Sequence, residues 1–201
     1  MKSYLKLLIA VTLAALIALP AVAGASGSYS TVNKSISIGE NTTAGDVESV
    51  NGSIRIGDNS FVDSVEAVNG SIKLGNDVTV DDSVEAVNGT ITLQAGCQVG
   101  GHVETVNGTI RMENTQVADN VETVNGALRI LDRSEVSGNV LVRKPNGWSW
   151  SHRSNPVKVE IGQDVVVHGD LIFEHPVELR LHETAKVGEI IGDEVEIITG
   201  S

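Results

Sequence analysis

The stretch Val84-Glu85-Ala86-Val87-Asn88-Gly89-Thr90-Ile91-Thr92-Leu93 decides how the chain is read, because it is one copy of a phrase. It stands earlier as Val47-Glu48-Ser49-Val50-Asn51-Gly52-Ser53-Ile54-Arg55-Ile56 and again from Val65 to Leu74. It returns from Val103 to Met112 and from Val121 to Ile130, and Thr31 to Ile38 is a degenerate first copy. The valine before the asparagine falls at 32, 50, 68, 87, 106 and 124, in steps of 18, 18, 19, 19 and 18. A period this regular takes precedence over any single motif.

A unit of 18–19 residues is too short for a strand, a helix and two turns. The alternation in Ile54-Arg55-Ile56, Ile72-Lys73-Leu74 and Ile110-Arg111-Met112 is that of strands. A finer step of six runs through Val50, Ile56, Val62, Val68, Leu74 and Val80, and again through Val124, Ile130, Val136 and Val142. Three hexads per unit imply three short strands per coil and a triangular cross-section. Successive coils then stack at the strand spacing of about 4.8 Å. The expected fold is all-β, a single-stranded parallel β-helix of eight to nine coils and a rod about 40 Å long. The extra residue of a 19-residue coil belongs at a corner. Right-handed crossover is the default for parallel strands.

Each column of the repeat carries an expectation. Ile36, Ile54, Ile72, Ile91, Ile110 and Leu128 form an inward stack. Asn33, Asn51, Asn69, Asn88, Asn107 and Asn125 form a ladder at a turn, hydrogen-bonded amide to carbonyl along the axis. The glycine after each is expected to supply positive φ. Glu48, Glu66, Glu85, Glu104 and Glu122 are read as an outward, solvated column that discourages edge pairing. Arg55, Lys73, Arg111 and Arg129 form a second outward column. Like charges about 5 Å apart repel by roughly a few kcal/mol per pair before salt screening. One carboxylate column offers too few oxygens for calcium.

Composition narrows the function classes. The 201 residues carry 14 Lys+Arg against 26 Asp+Glu, a net charge of −12, which argues against binding a phosphate backbone. A single cysteine, Cys97, excludes an intrachain disulfide and a cysteine-rich zinc site. Cys97 aligns with Ser60, Val78 and Thr115, two residues before an inward valine, and reads as a small buried hydrophobe. With aromatics at 3%, Val, Ile, Leu and Ala must fill the core. No P-loop, dinucleotide fingerprint, Gly-x-Ser-x-Gly or zincin motif is present. Of the N-x-[ST] matches at Asn33, Asn41, Asn51, Asn69, Asn88 and Asn107, most are by-products of the Asn-Gly-Ser/Thr turn, and if the source is a bacterium they carry no meaning for glycosylation.

Residues 1–23 read as a secretory signal peptide. Lys2 and Lys6 precede an apolar run from Leu7 to Leu19, and Ala21-Val22-Ala23 is a cleavage site. Cleavage removes two lysines and no acid, so the charge passes from −12 to −14. The protein is expected in the periplasm or at the cell surface. Residues 24–30 are a linker and 31–142 the regular repeats. Residues 143–156 are polar, proline-flanked and carry both tryptophans, so they read as a loop thrown out of the solenoid. The pattern resumes from 157 to 201 as further coils and a cap.

Trp148 and Trp150 lie two apart, with His152 and Arg153 beside them, and could stack on a sugar ring. They are the candidate ligand-binding residues. His168, Asp170, His175 and His182 do not share a column, so no metal or cofactor is expected.

The V-N-G-[ST]-I phrase in an 18-residue triangular solenoid resembles the bactofilins, a polymer-forming cytoskeletal family, and secreted adhesin-like proteins of short repeats. The resemblance covers about residues 30–198. It implies a right-handed triangular β-helix and, from the bactofilins, polymerisation end to end. The signal peptide and the 143–156 loop depart from the bactofilin pattern. The resulting expectation is a non-enzymatic structural or interaction protein of the bacterial envelope, with itself, an envelope glycan or another envelope protein as partner. A glycan-binding module is the alternative, and a polysaccharide-degrading enzyme is a third reading.

Overall fold

The computed structural model describes residues 27–144, 155–192 and 194–200. These residues form a β-solenoid of about eight turns, built from three parallel sheets and no helix. The first sheet stacks nine strands, from Tyr29–Val32 through Val84–Asn88 and Val103–Asn107 to Ile190–Ile191. The second also stacks nine, from Ile36–Ile38 to Val195–Gly200. The third holds six two-residue strands, from Phe61–Val62 to Val166–Val167. Isolated bridges from Thr43 to Phe61 and from Val166 to Lys186 extend it by one rung at each end. The first strand begins at Tyr29, two residues before the expected start of the repeats.

The register follows the phrase. Glu66 pairs with Glu48 and Glu85, and Ile72 pairs with Ile54 and Ile91. Side chains therefore alternate between the core and the outside. The interior is a set of aliphatic columns. Ile54, Ile72, Ile91, Ile110 and Leu128 are at most 1% exposed. The position of Ser60, Val78, Cys97, Thr115 and Ser134 is also inward, and the Ser60 hydroxyl donates to the Gly39 carbonyl at 3.0 Å. Burial pushes the Cys97 thiol up to about 11, so it stays a protonated core group.

One of the hexad columns faces outward. Val50, Val68 and Val87 are half-buried on the outside, not in the core. The first sheet points Val47, Val65, Val84 and Val103 inward, with Ser49, Ala67, Ala86 and Thr105 as their inward companions. Small residues fill that second column beside the Asn-Gly corner. The Ser49 hydroxyl reaches the Lys34 carbonyl there at 3.0 Å.

The corners absorb the irregularities. Asp63-Ser64 joins the third sheet to the first in an 18-residue coil, and Asp81-Asp82-Ser83 does so in a 19-residue coil. The corner from the second sheet to the third needs a left-handed residue. Asn41, Asn59, Asp77, Gly96 and Asn114 supply it, with φ of 54°, 55°, 55°, 81° and 47°. Asn, Asp and Gly are the residues that tolerate this region. The strand Val140–Val142 pairs with Leu171–Phe173, 31 residues on, so the insertion lies within one coil. Residues 145–154 of it are outside the described residues.

The glycine of the repeat has another purpose than the one expected. Gly52, Gly70, Gly89, Gly108 and Gly126 do not have positive φ. A Cβ on Gly89 would overlap the backbone carbonyl of Gly70, and one on Gly108 that of Gly89. Each coil seats its corner against the corner below at a distance that leaves no room for a side chain. The obstacle is backbone and cannot swing away. Gly89→Ala should therefore destabilise by about 3 kcal/mol or more. Chemical denaturation with a circular-dichroism readout checks this, and a loss below about 1 kcal/mol would contradict the packing described.

Candidate functional site

The asparagine ladder is formed. The amide of Asn51 donates to the Asn33 side-chain oxygen at 2.9 Å, Asn69 to Asn51 at 2.7 Å and Asn88 to Asn69 at 2.8 Å. Asn107 donates to Asn88 at 2.9 Å and Asn125 to Asn107 at 3.1 Å. All five bonds run in the same direction, and the ladder is solvent-exposed along one corner. It is a structural seam. Trp148, Trp150, His152 and Arg153 lie outside the described residues.

The histidines of the last coils have separate partners. His168 Nε2 meets Glu135 at 2.6 Å, and His182 Nδ1 meets the Thr184 hydroxyl at 3.0 Å. His175 is buried, with Nδ1 3.0 Å from the Pro176 carbonyl. Among the described residues no group of three or more His, Cys, Asp or Glu is arranged to hold a metal ion. The cationic column is aligned on the second sheet, where Arg55, Lys73, Thr92, Arg111 and Arg129 are in register. Arg129 reaches Glu160 at 2.7 Å, and Arg111 pairs with Glu113.

The glutamate column departs from its expectation and is the most unusual chemistry of the described surface. It faces outward, but it is only partly solvated. Glu48, Glu66 and Glu85 are half-buried, Glu122 is 7% exposed and Glu104 1%. The valine ridge of Val50, Val68, Val87 and Val106 lies two residues on in the same outward register. Carboxylates stacked at strand spacing in such surroundings resist ionisation. Burial, then Glu85 and Glu48, push the Glu66 carboxyl up to about 7. Glu104 rises to about 7, from burial and then from Glu122 and Glu85, with His102 and Arg143 opposing. Glu48 is raised by burial and by Asp46.

Two basic side chains enter this column from outside the repeat phrase. Arg143 grips Glu122 at 3.0 and 3.4 Å and approaches Glu174 at 3.8 Å. His102 Nε2 lies 3.1 Å from Glu85 and 3.9 Å from Glu104. The Glu85 carboxylate raises the His102 pKa, against the effect of burial. Both His102 contacts are ion-pair distances. Nε2 of His102 and both carboxylate oxygens of Glu104 are the buried side-chain atoms without a hydrogen-bond partner among the described residues. The sequence carries only a faint signal of this: a histidine at a position held by Ser64 and Ser83 in the preceding coils.

No family model matches this chain, and the curated proteins and solved structures compared with it give no match either.

The raised Glu66 carboxyl sets a direction for pH. Its folded pKa, about 7, exceeds the unfolded value near 4.5. The stability it contributes is complete below pH 4.5 and is lost as pH rises through 7. Glu66→Gln removes the charge and keeps the shape. It should raise stability at pH 8 by about 1–2 kcal/mol, after allowance for solvent screening, and change little at pH 4.5. Urea titrations at the two pH values check this, and a gain at pH 4.5 as large as at pH 8 would contradict it.

Proposed function

We propose that the chain is a non-enzymatic structural protein of the bacterial cell envelope that associates end to end. The observation that carries this reading is where the apolar surface lies. Of the six exposed large hydrophobic residues described, five are at the two ends: Tyr29 and Val32 on the first coil, and Ile191, Ile197 and Ile198 on the last. Tyr29 pairs with Val47 and Ile197 with Leu179, so both occupy core columns. They are 39% and 51% exposed, whereas Val47 and Leu179 are fully buried. Each end thus offers an unfinished core and a strand edge, the two features that favour pairing with another chain.

Charge supports a head-to-tail arrangement. Lys34 lies on the first coil, and Glu194 and Glu196 lie on the last. A second molecule placed in line would continue the aliphatic columns and bring these signs together. The resemblance to the bactofilins supports the same mode. Export rests on the signal peptide at residues 1–23, which lies outside the described residues. A glycan-binding role for Trp148 and Trp150 is the alternative, argued from sequence.

Sedimentation velocity of residues 24–201 over a range of concentrations tests the reading, with electron microscopy of the same sample. Growing linear oligomers are expected, and Ile197→Asp should reduce assembly at least tenfold while leaving the circular-dichroism spectrum unchanged. A monomer at all concentrations, or assembly indifferent to Ile197→Asp, would overturn it.

A further inference from the structure

The unpartnered buried atoms of the first sheet meet at one point, around His102. The state of that ring follows from its neighbours. The Ser83 hydroxyl donates to the Asp82 carboxylate at 3.1 Å, and so has no proton left for His102. With the hydroxyl hydrogen on Asp82, the 3.0 Å contact between Ser83 Oγ and His102 Nδ1 is a donation from Nδ1–H. In the neutral ring this leaves Nε2 bare, and it faces Glu85 at 3.1 Å and Glu104 at 3.9 Å. A bare nitrogen lone pair facing carboxylate oxygens is repulsive unless a proton lies among them. Glu104 sharpens the conflict, because it is 1% exposed and neither of its oxygens has a hydrogen-bond partner.

The surrounding charges do not relieve it. Glu85 and, beyond it, Glu66 lie on the preceding coils, with Asp82 at the corner. Glu122 lies on the following coil and is gripped by Arg143, which also approaches Glu174. The position after His102 in its own column is Asn120, which carries no charge.

We propose that Glu85, His102 and Glu104 form a proton-operated latch: a proton shared at His102 Nε2 holds the outer faces of two neighbouring coils together, and its loss loosens them. Donation from Ser83 to Asp82 favours the tautomer with Nδ1–H, which leaves Nε2 bare toward the carboxylates. With the proton in place, an imidazolium bridges the two carboxyl groups. Without it, the carboxylates of Glu85, Glu104 and Glu122 stand in line with Arg143 committed to one end. The Glu104 carboxyl, raised to about 7, places this transition near neutrality, and the Glu85 carboxylate raises the His102 pKa as well. The latch is independent of end-to-end association, since it lies in the middle of the rod.

Two measurements on the full mature chain test it. Nitrogen NMR of the His102 ring should show Nδ1–H in the neutral form, and a neutral ring protonated on Nε2 would overturn the proposal. Amide hydrogen exchange should show protection in Val84–Asn88 and Val103–Asn107 falling about tenfold from pH 6 to pH 8.5. Glu104→Gln should abolish most of that fall, whereas Glu178→Gln on the second sheet should leave it intact. An equal fall in Glu104→Gln and in the unmodified chain would overturn the latch. Should Glu104→Gln fail to fold, the ring-nitrogen measurement decides the matter without it.

Discussion

A coil that returns every 18–19 residues places each side chain directly against its counterpart, about 4.8 Å away along the axis. Everything else in the molecule depends on that spacing. Each column must be filled by a residue that tolerates its own neighbour. Isoleucine tolerates it through dispersion and burial. Asparagine carries a donor and an acceptor on one side chain, so the amide of each coil can bond the carbonyl of the one before. Glycine is required where the spacing brings two backbones together, and Gly89 over Gly70 leaves no place for a Cβ. Glutamate tolerates it worst, and the chain meets the difficulty with raised pKa values and with the basic side chains of His102 and Arg143.

This explains why the architecture was legible in the sequence. Column identity is a property of residue types, and residue types are what a sequence records. The 18–19 period, the isoleucine stack and the asparagine ladder are all found as read. What could not be read depends on geometry between columns. Val47 and Val50 are both valines three apart in one strand, and the repeat does not say which of them enters the core; Val47 does. The glycine was visible, but a forbidden Cβ and a positive φ leave the same letter. The left-handed corner was spread over Asn59, Asp77 and Gly96, three residue types with one conformation.

The glutamate column shows the limit most clearly. Its periodicity suggested a solvated face, since a charge on an outward strand position is ordinarily wet. Its burial depends on an adjacent valine ridge and on Arg143, and its electrostatics depend on His102, which belongs to no repeat. The two ends show the opposite case. Apolar residues that would be unremarkable inside the rod become exposed because they are on the first and last coils. The same columns that close the interior are open at Tyr29 and Ile197, and stacking provides both the stability of the rod and the means of extending it.

The central claim is the axial stacking, and a distance along one column measures it most directly. Ser37 and Glu160 occupy the same outward column of the second sheet, six strands apart by way of Arg55, Lys73, Thr92, Arg111 and Arg129. Spin labels at cysteines placed there, with Cys97 replaced by serine, should give a single narrow distance distribution centred near about 29 Å. A broad distribution, or a centre displaced by more than about 10 Å, which is two strand spacings, would contradict the stacked solenoid.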